Sequence, residues 1–470
     1  GLVEKYRDTS LANRIFDLAW THSQVVLRQL NATPADAQLY GRLASSILYT
    51  NASLRAAPSV LAQNRRGQSG LWSHAVSGDV PIVLCQIGDR ANIALVHQLV
   101  QAHAYWRLKG LTVDLVIWNE DRAGYRQLLQ EQILGLIAAG AEAHVVDRPG
   151  GIFIRPADQI SDEDRVLFQT VARAILSDGR GTLAEQINRR DPRPKQMPAF
   201  KPSGSPARAP QLSAPTGPAL RFDNGLGGFS ADGREYVITI APGQTTPAPW
   251  VNVLANAHFG TVVSASGGAY AWSENAHEFR LTPWHNDPVS DVHGEAFYLR
   301  DEVSGQVWSP TPLPAGGTTP YLSRHGFGYS VFEHREAGID SELWVYVALD
   351  APVKYMVLKL HNGTEQPRRL SATGYVEWVL GDLRPKSALH LVTEIDPSSG
   401  ALFARNPYNS EFADRLAFFD VDDPARSLSG DRTEFLGRNG TLSHPAALTR
   451  TGLSGRAGPA LDACGALQTH

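Results

Sequence analysis

Hydrophobic residues near the start of the chain recur at helical spacing. Residues 4–30 and 34–48 place apolar side chains three or four positions apart, which puts them on one face of an α-helix. Thr33 followed by Pro34 is a favourable start for the second helix, because proline fits the first helical turn. The pattern therefore predicts two helices joined by a short turn.

From residue 80 the pattern changes to short apolar runs that alternate with helical segments. The predicted strands are residues 81–87, 112–118, 143–147 and 152–154, and the predicted helices are residues 92–109, 125–139 and 162–176. Strands that alternate with helices of about 15 residues are typical of a small α/β layer. We therefore expect a helix-flanked, mostly parallel sheet.

The second half of the chain has a different pattern. Residues 191–219 contain eight prolines and few apolar residues, a composition typical of an extended linker. Beyond residue 220, short segments rich in β-branched and aromatic residues are separated by Asp-Gly, Ser-Gly, Asn-Gly and proline turns. This spacing predicts a large antiparallel sandwich of two sheets.

These patterns divide the chain into four segments. We expect a helical segment at 1–50, a small α/β domain at 51–190, a proline-rich linker at 191–219 and the β-sandwich at 220–470. The chain begins inside a helical pattern and stops without a terminal element, so we expect it to be part of a longer polypeptide.

Composition excludes several classes of protein. The net charge is −4, so the chain has no excess of positive charge with which to bind the phosphates of nucleic acid. The two cysteines, Cys85 and Cys464, lie in unrelated segments, which argues against a disulfide framework or a structural zinc site and fits a reducing compartment such as the cytoplasm. The apolar runs are far shorter than the ~20 residues that cross a bilayer.

Residues 270–334 combine flat aromatic rings with hydrogen-bonding groups. The rings are Tyr270, Trp272, Trp284, Trp308 and Tyr329. A sugar presents an apolar C–H face and a rim of hydroxyls, so its site needs both kinds of group. The alternative is that these rings are core, because strand alternation buries about half of such residues.

Two candidates in this region are more specific. Trp284 stands between proline and histidine in a loop-like stretch, so it is the ring expected to be exposed, and Trp272 and Glu274 precede it. In the motif RHGFGY, Arg324 and His325 precede two glycines, which let the backbone approach a ligand closely while the two side chains donate to it. This arrangement favours a sugar or phosphate pocket that includes Tyr329. The alternative for this motif is a tight β-turn with an ion pair to Glu333.

The same region carries acidic residues and histidines. Five carboxylates could supply a glycosidase pair, but solvated strand faces carry carboxylates routinely, so no catalytic residue is assigned; they are Glu274, Glu278, Asp287, Asp291 and Glu295. The histidines His277, His285 and His293 recur every eight residues, which matches no metal-ligand spacing. No metal and no cofactor are therefore predicted.

A weaker candidate site lies in the α/β segment. Asn119 and Glu120 directly follow the second predicted strand, where open α/β sheets bind ligands. Asp79, which follows a Ser-Gly pair, could join them.

Several motifs resemble a known family. Four of them look like the β-supersandwich domain of the family 94 glycoside phosphorylases, formerly glycosyltransferase family 36: residues 224–229 (NGLGGF), 377–382 (EWVLGD), 405–409 (RNPYN) and 434–440 (EFLGRNG). Residues 1–190 resemble the region that precedes this domain in cyclic β-1,2-glucan synthases. The motifs there are residues 4–8 (EKYRD), 19–23 (AWTHS), 67–72 (GQSGLW), 77–81 (SGDVP) and 114–120 (DLVIWNE).

The resemblance implies a carbohydrate-processing role. The complete module would act on β-1,2-glucan, cleaving it with inorganic phosphate by inversion or adjusting its length during synthesis. Its general acid would be an aspartate in a following (α/α)6 barrel that this chain lacks. The supersandwich would bind glucan oligosaccharide, pack on that barrel and assist homodimerisation. The whole protein would reside at the bacterial inner membrane, with this region on the cytoplasmic side.

Two other functions remain as alternatives at this point. One is a self-sufficient glycoside hydrolase that uses carboxylates of the sandwich. The other is a purely structural dimerisation module.

Overall fold

The computed structural model describes residues 2–121, 128–140, 143–189, 219–292 and 294–470. The chain forms two compact units, Gly1–Pro194 and Lys195–His470. The predicted linker at 191–219 lies outside the described residues except for its last position, as do His293 and the first residues of the helix predicted at 125–139.

The first unit contains eight helices and four strands among its described residues. The helices are α1 (Leu2–Lys5), α2 (Thr9–Gln29), α3 (Pro34–Leu48), α4 (Pro58–Gln63), α5 (Ile93–Leu108), α6 (Leu128–Ala138), α7 (Asp162–Val171) and α8 (Leu183–Asn188). The strands are β1 (Ile82–Ile87), β2 (Asp114–Asn119), β3 (Ile152–Pro156) and β4 (Ala172–Ser177). No described helix is both long enough and apolar enough to span a bilayer.

The four strands form one parallel sheet in the order β3-β2-β1-β4. β1 and β2 are almost wholly buried, as their continuous apolar runs require when helices cover both faces. Helix α3 begins at Pro34 with a capping box between Thr33 and Asp36, and its Leu43 joins the core around the sheet. The predicted helix-flanked parallel sheet is confirmed.

Two predicted elements of this unit are wrong. Ala143–Val145 is a single 3₁₀ turn instead of a strand, and Val146 makes only an isolated bridge to Ile152. The chain turns too tightly for a longer ladder, because a Cβ on Gly151 would lie 1.9 Å from the Val145 carbonyl oxygen.

The helix predicted at 162–176 ends at Val171, and the remainder is strand β4. β4 pairs in parallel with β1. The residues of β4 have no strong strand signal of their own, so the free edge of β1 decides their conformation.

The second unit is antiparallel throughout its described strands. These are β5 (Gly227–Phe229), β6 (Glu235–Ile240), β7 (Val251–Ala255), β8 (Phe259–Ser264), β9 (Ala269–Ser273), β10 (Glu295–Asp301), β11 (Val307–Trp308), β12 (Tyr321–Gly326), β13 (Tyr329–Glu336), β14 (Ile339–Val347), β15 (Lys354–Asn362), β16 (Leu370–Glu377), β17 (Val392–Ile395), β18 (Leu402–Arg405), β19 (Leu416–Phe419), β20 (Ser427–Asp431) and β21 (Ala463–Thr469). Two short helices, α9 (Arg384–Ser387) and α10 (Arg432–Leu436), interrupt them.

These strands form four sheets. The largest has six strands in the order β15-β14-β13-β12-β6-β5, and another has five in the order β11-β10-β16-β21-β20. Two three-stranded sheets, β7-β8-β9 and β17-β18-β19, complete the unit. The predicted antiparallel sandwich is confirmed, with four sheets where two were expected.

The sheet β7-β8-β9 packs on the inner face of the six-stranded sheet. Phe259 and Val263 of β8 meet Phe332, Leu343 and Val345 in one buried cluster. Alternate residues of both sheets therefore point away from this core.

The buried carboxylate of Glu336 stabilises the end of β13, where the chain turns into β14. Glu336 accepts hydrogen bonds from the Thr318 backbone N–H at 2.6 Å and from Gln306 at 2.9 Å, and His334 lies 3.4 Å away. Burial opposes its ionisation, but the nearby His334 ring and the hydrogen bonds from Thr318 outweigh that effect and lower the pKa of Glu336 to about 2 from its ordinary 4.5.

This pKa predicts a pH-dependent contribution to stability. Because the folded value lies below the unfolded one, the contribution of Glu336 is complete above the ordinary value of 4.5 and is lost as pH falls towards 2. Urea unfolding should show a large stability gap between wild type and Glu336→Gln at about pH 7 and a narrower gap at about pH 3. Glu394→Gln, at an exposed position of β17, controls for loss of one carboxylate. A gap of equal size at both pH values would contradict this role.

Candidate functional site

The outward face of the sheet β7-β8-β9 carries two aromatic residues of β9. Ala271 points into the buried cluster, so Tyr270 and Trp272 on either side of it point the opposite way. Trp272 has room because Gly260 lies beneath it, where a Cβ would come within 2.1 Å of the indole ring. The backbone of β8 thus forms the floor under the Trp272 ring.

These two rings and Trp284 form a continuous aromatic row. The ring centroids of Tyr270 and Trp272 are 5.2 Å apart, and those of Tyr270 and Trp284 are 4.6 Å apart. Their planes differ by 31° and 33°, so at these separations neighbouring rings partly overlie one another, and the central ring, Tyr270, is only 7% exposed. Trp284 is 36% exposed, as its loop position indicated. The partly exposed rings of Trp272 and Trp284 are each suited to stack on the C–H face of a sugar ring.

Polar groups lie beside this row. Glu274 follows β9 with a left-handed backbone (φ +60°), and its two carboxylate oxygens contact different partners. One oxygen lies 3.1 Å from Nδ1 of His258, and the other lies 3.3 Å from the guanidinium of Arg415. The carboxylate is about one-third exposed, so this cluster supplies donors and acceptors near Trp272.

The other carboxylates of this region have local structural contacts. Glu295 is buried in an ion pair with Lys354 and accepts from Thr282. Asp291 accepts from the Ser264 hydroxyl at 2.6 Å. Asp287 closes a turn by accepting from the backbone of Val289 and Ser290, and Glu278 contacts His277. Trp308 is 1% exposed and belongs to the core.

Arg324 and Tyr329 lie on a different surface, the outward face of the six-stranded sheet. β12 and β13 form a hairpin with a two-residue turn at Phe327 and Gly328. Arg324 donates to Glu235 at 2.7 Å and to Glu333 at 2.8 Å. The Tyr329 hydroxyl donates to Glu235 at 2.8 Å. The motif is thus a tight hairpin with an ion pair to Glu333, the alternative considered from the sequence.

His325 points to the opposite side of the same strand. Its Nδ1 lies 2.9 Å from the Ser330 hydroxyl, and Ser330 is fully buried. Burial lowers the pKa of His325 to about 4, against the opposing effect of a hydrogen bond with the Trp250 backbone. Arg324 and His325 therefore do not direct two donors at one ligand, because adjacent strand residues alternate.

The structure thus separates the candidate residues into two groups. Trp272, Glu274 and Trp284 lie on one outer surface of the sandwich, and Arg324 and Tyr329 lie on another. The buried cluster between the two sheets lies between these surfaces.

In the first unit, the predicted residues do not come together. Asn119 ends β2, whereas Asp79 precedes β1, so they lie at opposite ends of two neighbouring parallel strands. Sequence reasoning missed an open cavity of about 550 Å³ lined by residues including His74, Arg155 and Asp164. His74 Nε2 lies 3.2 Å from Asp164. These residues are far apart in sequence, so no local motif indicated them.

Metal ligation has no candidate in the described part of the chain. Within it, no three or more His, Cys, Asp or Glu side chains are grouped so as to hold a metal ion.

The close contact between Gly260 and Trp272 gives a testable prediction. Gly260→Ala places a Cβ 2.1 Å from the indole ring, so Trp272 must move and the unit should lose about 1–3 kcal/mol of stability. Near-UV circular dichroism and urea unfolding measure both effects. Gly452→Ala is the matched control, because its Cβ would meet only ordinary contacts with Ser427. An unchanged spectrum in Gly260→Ala would show that the Trp272 ring does not need the glycine beneath it to keep its position.

Comparison with known proteins extends these observations. Residues 234–470 match the family described as glycosyl hydrolase 94, supersandwich domain. Cyclic beta-(1,2)-glucan synthase NdvB of Rhizobium meliloti (strain 1021) is 34% identical over 478 residues, which cover 99% of this chain and 17% of that protein.

Two phosphorylases match a smaller part. N,N'-diacetylchitobiose phosphorylase of Vibrio furnissii is 31% identical over 252 residues, covering 51% of this chain and 31% of the enzyme. Solabiose phosphorylase of Paenibacillus borealis is 28% identical over 255 residues, covering 52% of this chain and 32% of that enzyme. The chain spans about a third or less of the length of these relatives. With its four antiparallel sheets and this match over half its length, the chain belongs to the glycosyl hydrolase 94 supersandwich family.

Proposed function

We propose that this chain is the carbohydrate-binding and scaffolding part of a larger enzyme that processes β-1,2-glucan. The match to the glucan synthase covers 99% of the chain, whereas the phosphorylases match about half of it. Similarity over both units favours the synthase as the guide to the substrate class. The ligand of the sandwich is then a β-1,2-linked glucan oligosaccharide.

The aromatic row Trp272–Tyr270–Trp284 is the observation that carries this proposal. Tyr270 packs between Trp272 and Trp284 at centroid separations of 5.2 and 4.6 Å, and sugar rings can stack on the two outer rings, which are partly exposed. The cluster of Glu274, His258 and Arg415 supplies hydrogen bonds to hydroxyl groups at one end. A neutral ligand with many hydroxyl groups can stack on the aromatic row and form hydrogen bonds with this polar cluster at the same time.

Catalysis in this proposal belongs to a part of the polypeptide beyond this chain. The carboxylates near the row are held in local contacts, such as the Glu295–Lys354 ion pair. The general acid would come from an (α/α)6 barrel that follows the sandwich, and inorganic phosphate would bind there. The sandwich would support that barrel and assist pairing of two copies. The complete protein would reside at the inner membrane, with both units on the cytoplasmic side.

Binding of short β-1,2-gluco-oligosaccharides tests the role of the row. Isothermal titration calorimetry of the chain should give a saturable heat. Trp284→Ala should weaken the affinity about tenfold, or ~1.4 kcal/mol, because a stacking surface is removed. Trp20→Ala, which removes an exposed indole from the first unit, is the matched control. If the chain is a purely structural module, neither the wild-type chain nor either variant will give a saturable heat.

A second experiment tests whether this chain cleaves β-1,2-glucan by itself. Incubation of the chain with β-1,2-glucan, with and without phosphate, should release no sugar or sugar phosphate. Release by this chain would overturn the proposal in favour of a self-sufficient enzyme.

A further inference from the structure

We propose that the free edge of strand β15 pairs with the β15 edge of a second copy of this chain, so that two six-stranded sheets join into one. That two copies pair at all rests on the proposed function, whereas the strand that joins them is inferred from the hydrogen bonds and register of β15. With nine residues, β15 is the longest edge strand in the described part of the chain.

The backbone of β15 keeps hydrogen-bonding groups that no described residue satisfies. At one end of the ladder with β14, the Ala348 N–H donates to the Val353 carbonyl at 2.9 Å. At the other end, the Gly363 N–H donates to the Gly338 carbonyl at 2.9 Å, and the register between them is unbroken. Only alternate residues of an antiparallel pair exchange hydrogen bonds, so the odd-numbered residues of β15 bond to β14. The even-numbered residues therefore direct their N–H and C=O groups towards the free edge.

β15 lacks the features with which proteins usually block a free edge. Its nine residues include no proline, and its pairing with β14 contains no bulge. Both of its lysines are held by carboxylates of their own chain: Lys354 forms an ion pair with Glu295, and Lys359 contacts Glu342 at 2.8 Å. Neither lysine is thus left free to repel an approaching strand.

The edge is apolar on both faces of the sheet. Tyr355 and Val357 on the outward face are 46% and 38% exposed, and Leu360 on the inward face is 41% exposed. Met356 and Leu358 pack only partly against the buried cluster. A strand added at this edge would cover these side chains, so burial of apolar surface would add to the new backbone hydrogen bonds.

The sequence of β15 is complementary to itself in one antiparallel register. A two-fold axis at Leu358, the central residue, sets all nine residues of one copy opposite the nine of the other. Leu358 then meets Leu358 of the second copy, and Met356 meets Leu360, so the inward face is apolar throughout. At the ends of the strand, Lys354 meets Asn362. Because Leu358 is even-numbered, its free N–H and C=O groups lie where this register requires them.

The outward face has no repulsive pair in the same register. Val357 lies opposite Lys359 of the second copy, and Tyr355 lies opposite His361. Like charges directly opposite each other destabilise an antiparallel pair, and here each lysine meets an uncharged residue. An unrelated strand would have to reproduce this spacing of apolar residues and charges, whereas a second copy supplies it by symmetry. The self-complementary register therefore favours a second copy as the partner.

Sedimentation velocity of the whole chain over a range of concentrations tests the contact. We expect a reversible equilibrium between monomer and dimer in the wild type. Leu360→Pro should leave only monomer, because it removes an N–H that points to the free edge and takes no part in the pairing with β14. Leu360→Val, which keeps this N–H, is the matched control and should still dimerise. Circular dichroism establishes that both variants fold.

Substitutions at Val357 test the register by changes of opposite sign. Val357→Glu places a carboxylate opposite Lys359 of the second copy and should tighten the dimer at least about threefold. Val357→Lys places two like charges opposite each other and should weaken the dimer by a similar factor. A general effect of a polar residue at this position would shift dimerisation in the same direction in both variants, and that result would contradict the register.

An engineered disulfide measures the register directly. Residue 355 of one copy and residue 361 of the other would form a non-hydrogen-bonded pair with Cα atoms about 4.5 Å apart, within the range that a disulfide bridges. The double variant Tyr355→Cys/His361→Cys should give a covalent dimer on mild oxidation, seen without reductant as a band of twice the mass. Either single variant should remain uncrosslinked, because its two new cysteines would lie about 20 Å apart. The native Cys85 and Cys464 are buried, so they should not compete.

The outcomes separate this inference from the proposed function. A chain that stays monomeric at every concentration, or a dimer that persists in folded Leu360→Pro, would overturn the β15 contact without affecting glucan binding by the aromatic row. Absence of glucan binding by a chain that dimerises through β15 would overturn the carbohydrate role alone. If Leu360→Pro does not fold, the Val357 variants and the disulfide decide, and crosslinking of a single variant would show that the register is wrong.

Discussion

The packing of the sheet β7-β8-β9 on the six-stranded sheet is the constraint on which the position of the aromatic row depends. Burying Phe259, Val263, Phe332 and Leu343 in one cluster fixes the register of each strand relative to the core. A slip of one residue would turn every side chain over, so the hydrophobic effect that holds the sheets together also decides which rings meet solvent. The outward position of Trp272 is therefore a consequence of this single buried interface.

Elements whose burial follows from their own periodicity could be predicted from the sequence. Helix α3 begins at Pro34, and β1 follows its apolar run, because each carries a local start signal or a continuous hydrophobic core segment. β4 could not be predicted, since residues such as Ala172 and Leu176 favour helix. Only its pairing with β1, much earlier in the chain, makes it a strand.

The candidate sites show the same limit. Residue types indicated that rings and hydrogen-bonding groups would meet, and Trp284 was expected to be exposed. Composition does not reveal which face of a strand a ring occupies, so Arg324 and His325 were grouped although they point in opposite directions.

The order of strands in the first unit has a consequence for how it is made. β4 leaves the ribosome last of the four strands, yet it pairs with β1, the first to be made. Until Ser177 has emerged, one side of β1 offers unpaired amide and carbonyl groups on an apolar strand, a state prone to wrong association. Protection of β1 by a chaperone until residue 177 has been made would therefore matter more here than in a sheet that is completed strand by strand.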